Sequence, residues 1–247
     1  MRVGERSYWR LCAAALLLSG GLTGSAKAES GSLTLLYYER PPFHYTGADH
    51  KPAGMLVEIT ERALRAAGLS FVWQVRAPKR ILVEVFGGRA NTCSPGWFTT
   101  PERQEKAALS DPMTMEPPLV GLVNEQSREK TSPDARTTFP AMGLILVRDY
   151  LSRGGYLDRL LSEQPPGHVM RRTTTDVPSM MATVAAHHAD MALITEEEAA
   201  WFLPKAAPGL SVVHFADNDR REGRYLICSK LTDPALIERF NAGLRAP

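Results

Sequence analysis

The sequence predicts an α/β fold built as two lobes. Three observations carry that prediction. Strand and helix patterns alternate along the chain, the alternation runs twice with a polar interval between the runs, and Pro117-Pro118 and a charged turn from Asp217 to Arg224 punctuate it.

Leu33 to Tyr38 has the apolar content of a strand. Met55, Leu56, Ile59, Ala63 and Ala66 recur at helical spacing and stop at Gly68, Phe71 to Val75 is a second strand, and Pro78 opens a helix running through Phe86 to Gly87-Gly88. A third strand contains Cys93 and ends in Trp97 and Phe98. Thr100-Pro101-Glu102 then read as the N-cap, first position and dipole-matched acid of a short helix that carries Arg103 in its first turn. Leu119 to Val123 continues as an extended segment. This βαβαβ order implies parallel strands.

After a polar interval from Asn124 to Thr138, the order resumes. Met142 to Val147 is a strand, a helix lies around Leu157 to Leu161, Val169 to Thr173 is a strand and Pro178 to His187 a helix. Met191 to Ile194 and Leu210 to His214 are strands flanking a helix from Glu196 to Phe202. Tyr225 to Cys228 and a helix near Pro234 to Leu244 close the chain. No close sequence repeat accompanies the doubled register, so the reading is two similar lobes and not a solenoid.

The first 28 residues read as a secretory signal peptide. Arg2, Arg6 and Arg10 form a basic start, Leu11 to Leu22 is apolar and too short to span a bilayer, and Ala26-Lys27-Ala28 fits a cleavage site. Cys12 leaves with it. Cleavage also removes Arg2, Arg6, Arg10, Lys27 and Glu5, taking 29 basic and 27 acidic residues to 25 and 26 and the net charge from +2 to −1. That balance gives no basic field for nucleic acid or an anionic membrane, and no second apolar run suggests insertion of the mature chain. Export implies an oxidising compartment, and there a disulfide between Cys93 and Cys228 is favoured over two separate buried thiols. If bonded, they return the C-terminal strand to the first lobe. The lobes are then 29–117 with 223–247, and 118–222, joined by two crossings that make a hinge beside a ligand cleft.

Several segments, in order, resemble the periplasmic solute-binding proteins of family 3, the type II binding proteins that deliver polar amino acids and similar solutes to ABC transporters. They are Tyr37-Tyr38-Glu39-Arg40-Pro41-Pro42-Phe43, Gly54-Met55-Leu56-Val57-Glu58-Ile59, Thr99-Thr100-Pro101-Glu102-Arg103, Leu109-Ser110-Asp111-Pro112, Ala189-Asp190-Met191-Ala192 and Tyr225-Leu226-Ile227-Cys228-Ser229-Lys230. The resemblance implies a type II periplasmic-binding-protein-like fold with a double-crossover hinge, a monomer, and a membrane ABC permease or sensor as partner. It also implies that Arg103 takes a ligand carboxylate. Phe98 stands where a helping hydroxyl is usual, and Thr195 where an amine-binding aspartate is usual, with Glu196 next to it as a substitute acid.

The residues themselves describe a pocket. Tyr38, Phe43 and Tyr45 follow the first strand, Trp97 and Phe98 end the third, and Arg103 lies beside them. Aromatic walls with a fixed cation suit a small polar solute, aromatic or carboxylate-bearing. From the second lobe, Arg153, Tyr156, Thr175 and Thr195 lie at candidate strand ends. No G-x-S-x-G, H-E-x-x-H, P-loop or G-x-G-x-x-G occurs, and His44, His50, His168, His187, His188 and His214 lack metal-ligand spacing. The expectation is a binding protein with no cofactor and no catalysis. The enzymatic alternative is a dehydratase on the same scaffold with Glu39 or Glu196 as general acid.

Overall fold

A computed structural model of the protein describes residues 32–148, 155–172, 176–206, 208–219 and 221–246. The leader with Cys12, and the candidate ligand contacts Arg153 and Thr175, lie outside the described residues.

Two five-stranded sheets organise these residues. The first is ordered β4 (Phe71–Val75), β1 (Leu33–Tyr37), β5 (Thr92–Trp97), β12 (Glu222–Ser229) and β6 (Ala107–Glu116). The second is ordered β11 (Leu210–Val213), β7 (Val120–Asn124), β10 (Met191–Ile194), β8 (Ile145–Arg148) and β9 (Val169–Arg172). A two-stranded ribbon, β2 (Tyr45–Thr46) with β3 (Pro52–Ala53), extends the loop after β1.

The expected parallel order holds only in part. β1 runs parallel to β4 and β5, and β8 parallel to β9 and β10, each joined through a helix as parallel neighbours require. β12 is antiparallel to β5 and β6, and β7 to β10 and β11. The reason is the crossing. The chain leaves the first sheet from β6 and enters the second through β7, then returns from β11 into β12, and these connections carry no crossover helix.

The helices follow from local chemistry. α1 (Met55–Ala66) buries Leu56, Val57, Thr60, Ala63 and Leu64 along one face. Its start needs Gly54, whose φ of 113° is a left-handed value and whose Cβ would lie 2.6 Å from the Phe43 carbonyl oxygen. α2 (Pro78–Phe86) has proline at its first position, and α3 (Pro101–Lys106) is capped by the Thr100 hydroxyl, which accepts from the Arg103 amide at 3.2 Å. The polar interval expected as a break contains α4 (Glu125–Arg128) and α5 (Ala135–Ala141), and Leu109-Ser110-Asp111-Pro112 lies inside the ten-residue strand β6. Around the second sheet stand α6 (Tyr156–Ser162), α7 (Val177–Ala185) and α8 (Glu196–Phe202), and α9 (Pro234–Leu244) packs on α1. Asp190 ties this sheet's margin together, accepting from Ser127 Oγ, Lys130 Nζ and the Gly143 and Leu144 amides at 2.8–3.0 Å.

Each sheet has its own core. Leu33, Leu35, Leu64, Leu226 and Phe240 belong to the first, and Val123, Phe139, Ile145, Met191 and Leu193 to the second. Cys93 and Cys228 are paired neighbours on β5 and β12 and form a disulfide. The bond therefore staples the returning C-terminal strand to the first sheet. No helix of the described residues is long and apolar enough to cross a membrane.

Candidate functional site

The loop after β1 carries the first half of the site. Arg40 N donates to His44 O at 2.8 Å and Phe43 N to Arg40 O at 2.9 Å, which closes residues 40–44 into a compact turn. Tyr38, Phe43, Trp97 and Phe98 are all buried. The Tyr38 ring meets His44 edge-on at 4.4 Å and Trp97 at 5.9 Å, and Trp97 Nε1 donates to Ser94 Oγ at 2.8 Å. Arg103 is only 6% exposed. Its guanidinium lies 5.0 Å from the Trp97 ring centre and donates to the Phe98 carbonyl at 2.8 Å. Of the residues named from sequence, Tyr38, Phe43, Trp97, Phe98 and Arg103 thus come together, as a packed floor.

Two further arginines complete that floor. The Arg40 and Arg224 guanidinium carbons lie 4.3 Å and 4.6 Å from the Phe43 ring centre, and Arg224 also lies 4.2 Å from the ring of Phe98. Arg224 donates to the Gly96 carbonyl at 2.6 Å and pairs with Glu116. Gly96, at φ 87°, could not be replaced without backbone strain, and an added Cβ would collide with Leu56. Burial, and then the like charge of Arg40, push the Arg224 guanidinium well below its usual range.

The second sheet answers with Glu198. Thr195 caps α8 and forms a capping box with it: Thr195 Oγ1 accepts from the Glu198 amide at 3.2 Å, and the Glu198 carboxylate accepts from the Thr195 amide at 3.1 Å. The same carboxylate, 0% exposed, accepts from Arg40 Nε at 2.8 Å and from Arg148 Nη2 at 2.5 Å. Burial works to raise its pKa. The Arg148 and Arg40 charges and hydrogen bonds outweigh that and hold it at about 2. Arg40 comes from the first sheet's loop and Arg148 from the end of β8, so Glu198 joins the two halves of the molecule. Tyr45 makes a second contact between them, 5.9 Å from the ring of Trp201.

Beside this bridge is a cavity of about 280 Å³ lined from both sides, by Glu39, Arg40 and Pro41 and by Arg148, Asp176, Val177, Pro178, Glu198 and Phe202. None of the described residues named from sequence as ligand contacts is among these. Tyr156 donates to Asp217 Oδ2 at 2.7 Å, within the second sheet's own surroundings. Thr195 is buried as a helix cap. Glu196 is exposed, with His214 Nε2 at 3.2 Å. Sequence reasoning passed over Arg40, Glu116, Arg148, Glu198 and Arg224. Only Glu198 had a local signal, the Thr-x-x-Glu spacing from Thr195, and that signal reports a helix start and not a partner across a cleft.

His44 makes the site sensitive to acid. Its Nδ1 lies 2.6 Å from the Tyr38 carbonyl, which can only accept, so this nitrogen carries the proton of the neutral ring. Burial first, and then the Arg40 charge, lower its pKa from 6.5 to about 3. The unfolded chain thus binds a proton that the folded chain refuses between these values, and Glu198 adds the same sign between 4.5 and about 2. Stability from both groups is complete above pH 6.5 and is lost on acidification. His44 alone is expected to contribute a slope of up to about 1.4 kcal/mol per pH unit. Urea unfolding at a series of pH values should show this, and His44→Gln should flatten the curve above pH 4.5 and leave below it only the fall due to Glu198. An unchanged upper limb would assign the acid sensitivity elsewhere.

Comparison with known proteins adds the family. The model of the bacterial extracellular solute-binding proteins, family 3, matches residues 34–246. The chain belongs to that family. No protein of curated function matches this family 3 member by sequence. Among solved structures it is similar to a histidine kinase sensor domain with similarity to periplasmic binding proteins (17% identity, 87% of this chain and 90% of that one, TM-score 0.69). It is also similar to the arginine-, lysine-, histidine-binding protein ArtJ from Geobacillus stearothermophilus (16%, 87% and 88%, TM-score 0.68). A third is a truncated, arginine-bound form of ArgBP from T. maritima (19%, 87% and 94%, TM-score 0.65). At these identities the likeness establishes the type II periplasmic binding fold, which agrees with the two mixed sheets and the double crossing of this family 3 protein.

Proposed function

We propose that the protein is exported by its leader to the periplasm, captures a small polar solute between two lobes, and presents the closed form to a membrane ABC permease. The lobes are residues 29–117 with 223–247, and 118–222. One observation carries this reading: a cavity of about 280 Å³ is walled by charged and apolar groups from both sheets, which is where an open α/β fold binds ligands and is close to the size of small-molecule pockets. The amino acids that ArtJ and ArgBP are named for set the first solutes to try.

Glu39, Arg40, Arg148, Asp176 and Glu198 make the cavity wall charged and Pro41, Val177, Pro178 and Phe202 give it an apolar part, which supports a polar solute with an apolar portion. No catalytic step is assigned. Glu39 accepts from the Thr46 amide and hydroxyl, and Glu196 is exposed beside His214, so neither sits in the apolar enclosure that favours a neutral carboxylic acid. Failure to turn over prephenate-like acids is expected.

The test is a thermal-shift screen of the mature protein against amino acids, polyamines, aromatic acids and dicarboxylates. A solute at 100 times its Kd should add about 2.7 kcal/mol of stability. Arg103→Ala, at the position where the family resemblance implies a carboxylate contact, should abolish that shift for a carboxylate-bearing solute, and should also lower the melting temperature without solute, because it removes a buried donor to the Phe98 carbonyl. A broad panel without any shift would overturn the reading. The sensor-domain neighbour has this fold within a signalling protein and so favours one second reading, in which the chain serves signalling and its closed form acts on a membrane sensor; pull-down by a sensor ectodomain and not by a permease would select it.

A further inference from the structure

The bridge between the sheets is made by the chain itself. Glu198 presents one carboxylate oxygen to Arg40 Nε at 2.8 Å and the other to Arg148 Nη2 at 2.5 Å, all three side chains being buried. Each participant is held in place. Arg40 sits on the hydrogen-bonded 40–44 turn with its guanidinium over Phe43, Arg148 ends β8, and Glu198 is fixed by the capping box of α8. The same three residues line the cavity between the sheets, so the bridge occupies one wall of the space where a solute would lie. A carboxylate held between two guanidinium groups is the arrangement with which a cleft grips an anionic solute. Here the anion is tethered to the protein. Buried ion pairs gain little net stability over apolar packing, and their best-attested use is to specify one arrangement among several.

We propose that Glu198 serves as the cleft's own carboxylate ligand: it occupies the anion site between Arg40 and Arg148 and draws the two lobes together without help from a solute. The proposal rests on the two-lobe reading above and adds a specificity to it. A solute enters beside Glu198 and leaves the Arg40–Arg148 site alone, so a carboxylate is not what this wall of the cleft selects. Tyr45 against Trp201 gives closure a second contact.

Two measurements, neither needing an identified solute, test this. Glu198→Ala removes a CH2–carboxylate group, for which acetate is a close match. Acetate, compared with chloride at equal ionic strength, is expected to raise the melting temperature of Glu198→Ala in a saturable manner and to leave the wild type unmoved; equal effects on both proteins would overturn the proposal. Should Glu198→Ala fail to fold, Arg40→Gln carries the test, since it cuts the ion pair between the sheets and keeps Glu198 paired with Arg148. Solution scattering without solute is expected to give Arg40→Gln a larger radius of gyration than the wild type, and identical radii would overturn the proposal. Because no solute is present, failure here leaves the solute-capture reading standing, whereas an empty thermal-shift panel leaves the self-closure result intact.

Discussion

Arg224→Met is expected to cost about 3–5 kcal/mol of stability, the range for removing one partner of a buried ion pair. Arg224 lies on β12 and Glu116 at the end of β6, where the first sheet hands the chain to the crossings. The substitution takes from the Glu116 carboxylate its buried counter-charge, deprives the Gly96 carbonyl of its donor, and removes the cation from the rings of Phe43 and Phe98. Methionine fills part of the volume, so the loss reports charge and hydrogen bonding more than packing. Urea unfolding measures it. Arg224→Met combined with Glu116→Gln should recover part of the loss, since the stranded charge is then gone. A double variant as unstable as the sum of both single variants would show that the two residues are not coupled.

Reduction of Cys93–Cys228 is the second large effect. The bond closes a loop of 135 residues, for which the chain-entropy argument gives about 5 kcal/mol, with 2–5 kcal/mol the usual range for secreted domains. Its position adds a directional expectation. Cys93 and Cys228 are cross-strand neighbours at the centre of the first sheet, and without the bond β12 is held there by hydrogen bonds to β5 and β6 and by its packed side chains. The reduced protein, or the Cys93→Ala/Cys228→Ala variant, should therefore unfold at lower urea and exchange the amide hydrogens of β12 faster than those of the second sheet. Equal midpoints with and without reductant would show that the bond does not constrain the unfolded chain.

Much of the fold was legible because it depends on local periodicity. The helices over Met55–Ala66, Glu196–Phe202 and Pro234–Leu244 and the strand Met191–Ile194 have apolar spacing and end signals contained within their own residues. Strand direction is different. Nothing within Val120–Asn124 or Glu222–Ser229 states whether the neighbour runs parallel or antiparallel, and the antiparallel answer comes from the two crossings. Ten residues of β6 were hidden because Asp111 and Pro112 interrupt its alternation, and α4 and α5 because their polar sequences resemble a linker.

The site divides in the same way. Tyr38, Phe43, Trp97, Phe98 and Arg103 could be named from sequence because they cluster at two strand ends that the βαβ order places side by side. Arg40, Arg148 and Glu198 could not, since they lie 50 to 158 residues apart and in isolation read as two surface arginines and a helix-start acid. By itself the sequence determined the α/β class and the family's markers, and it favoured a two-lobed organisation and a Cys93–Cys228 bond, which the structure contains. These are matters of periodicity, composition and residue identity. Tertiary structure decided which charges lose water together: the Glu198 carboxylate finds Arg148 when the second sheet assembles and Arg40 only when the two sheets meet, and a buried charge has no stable place without such partners.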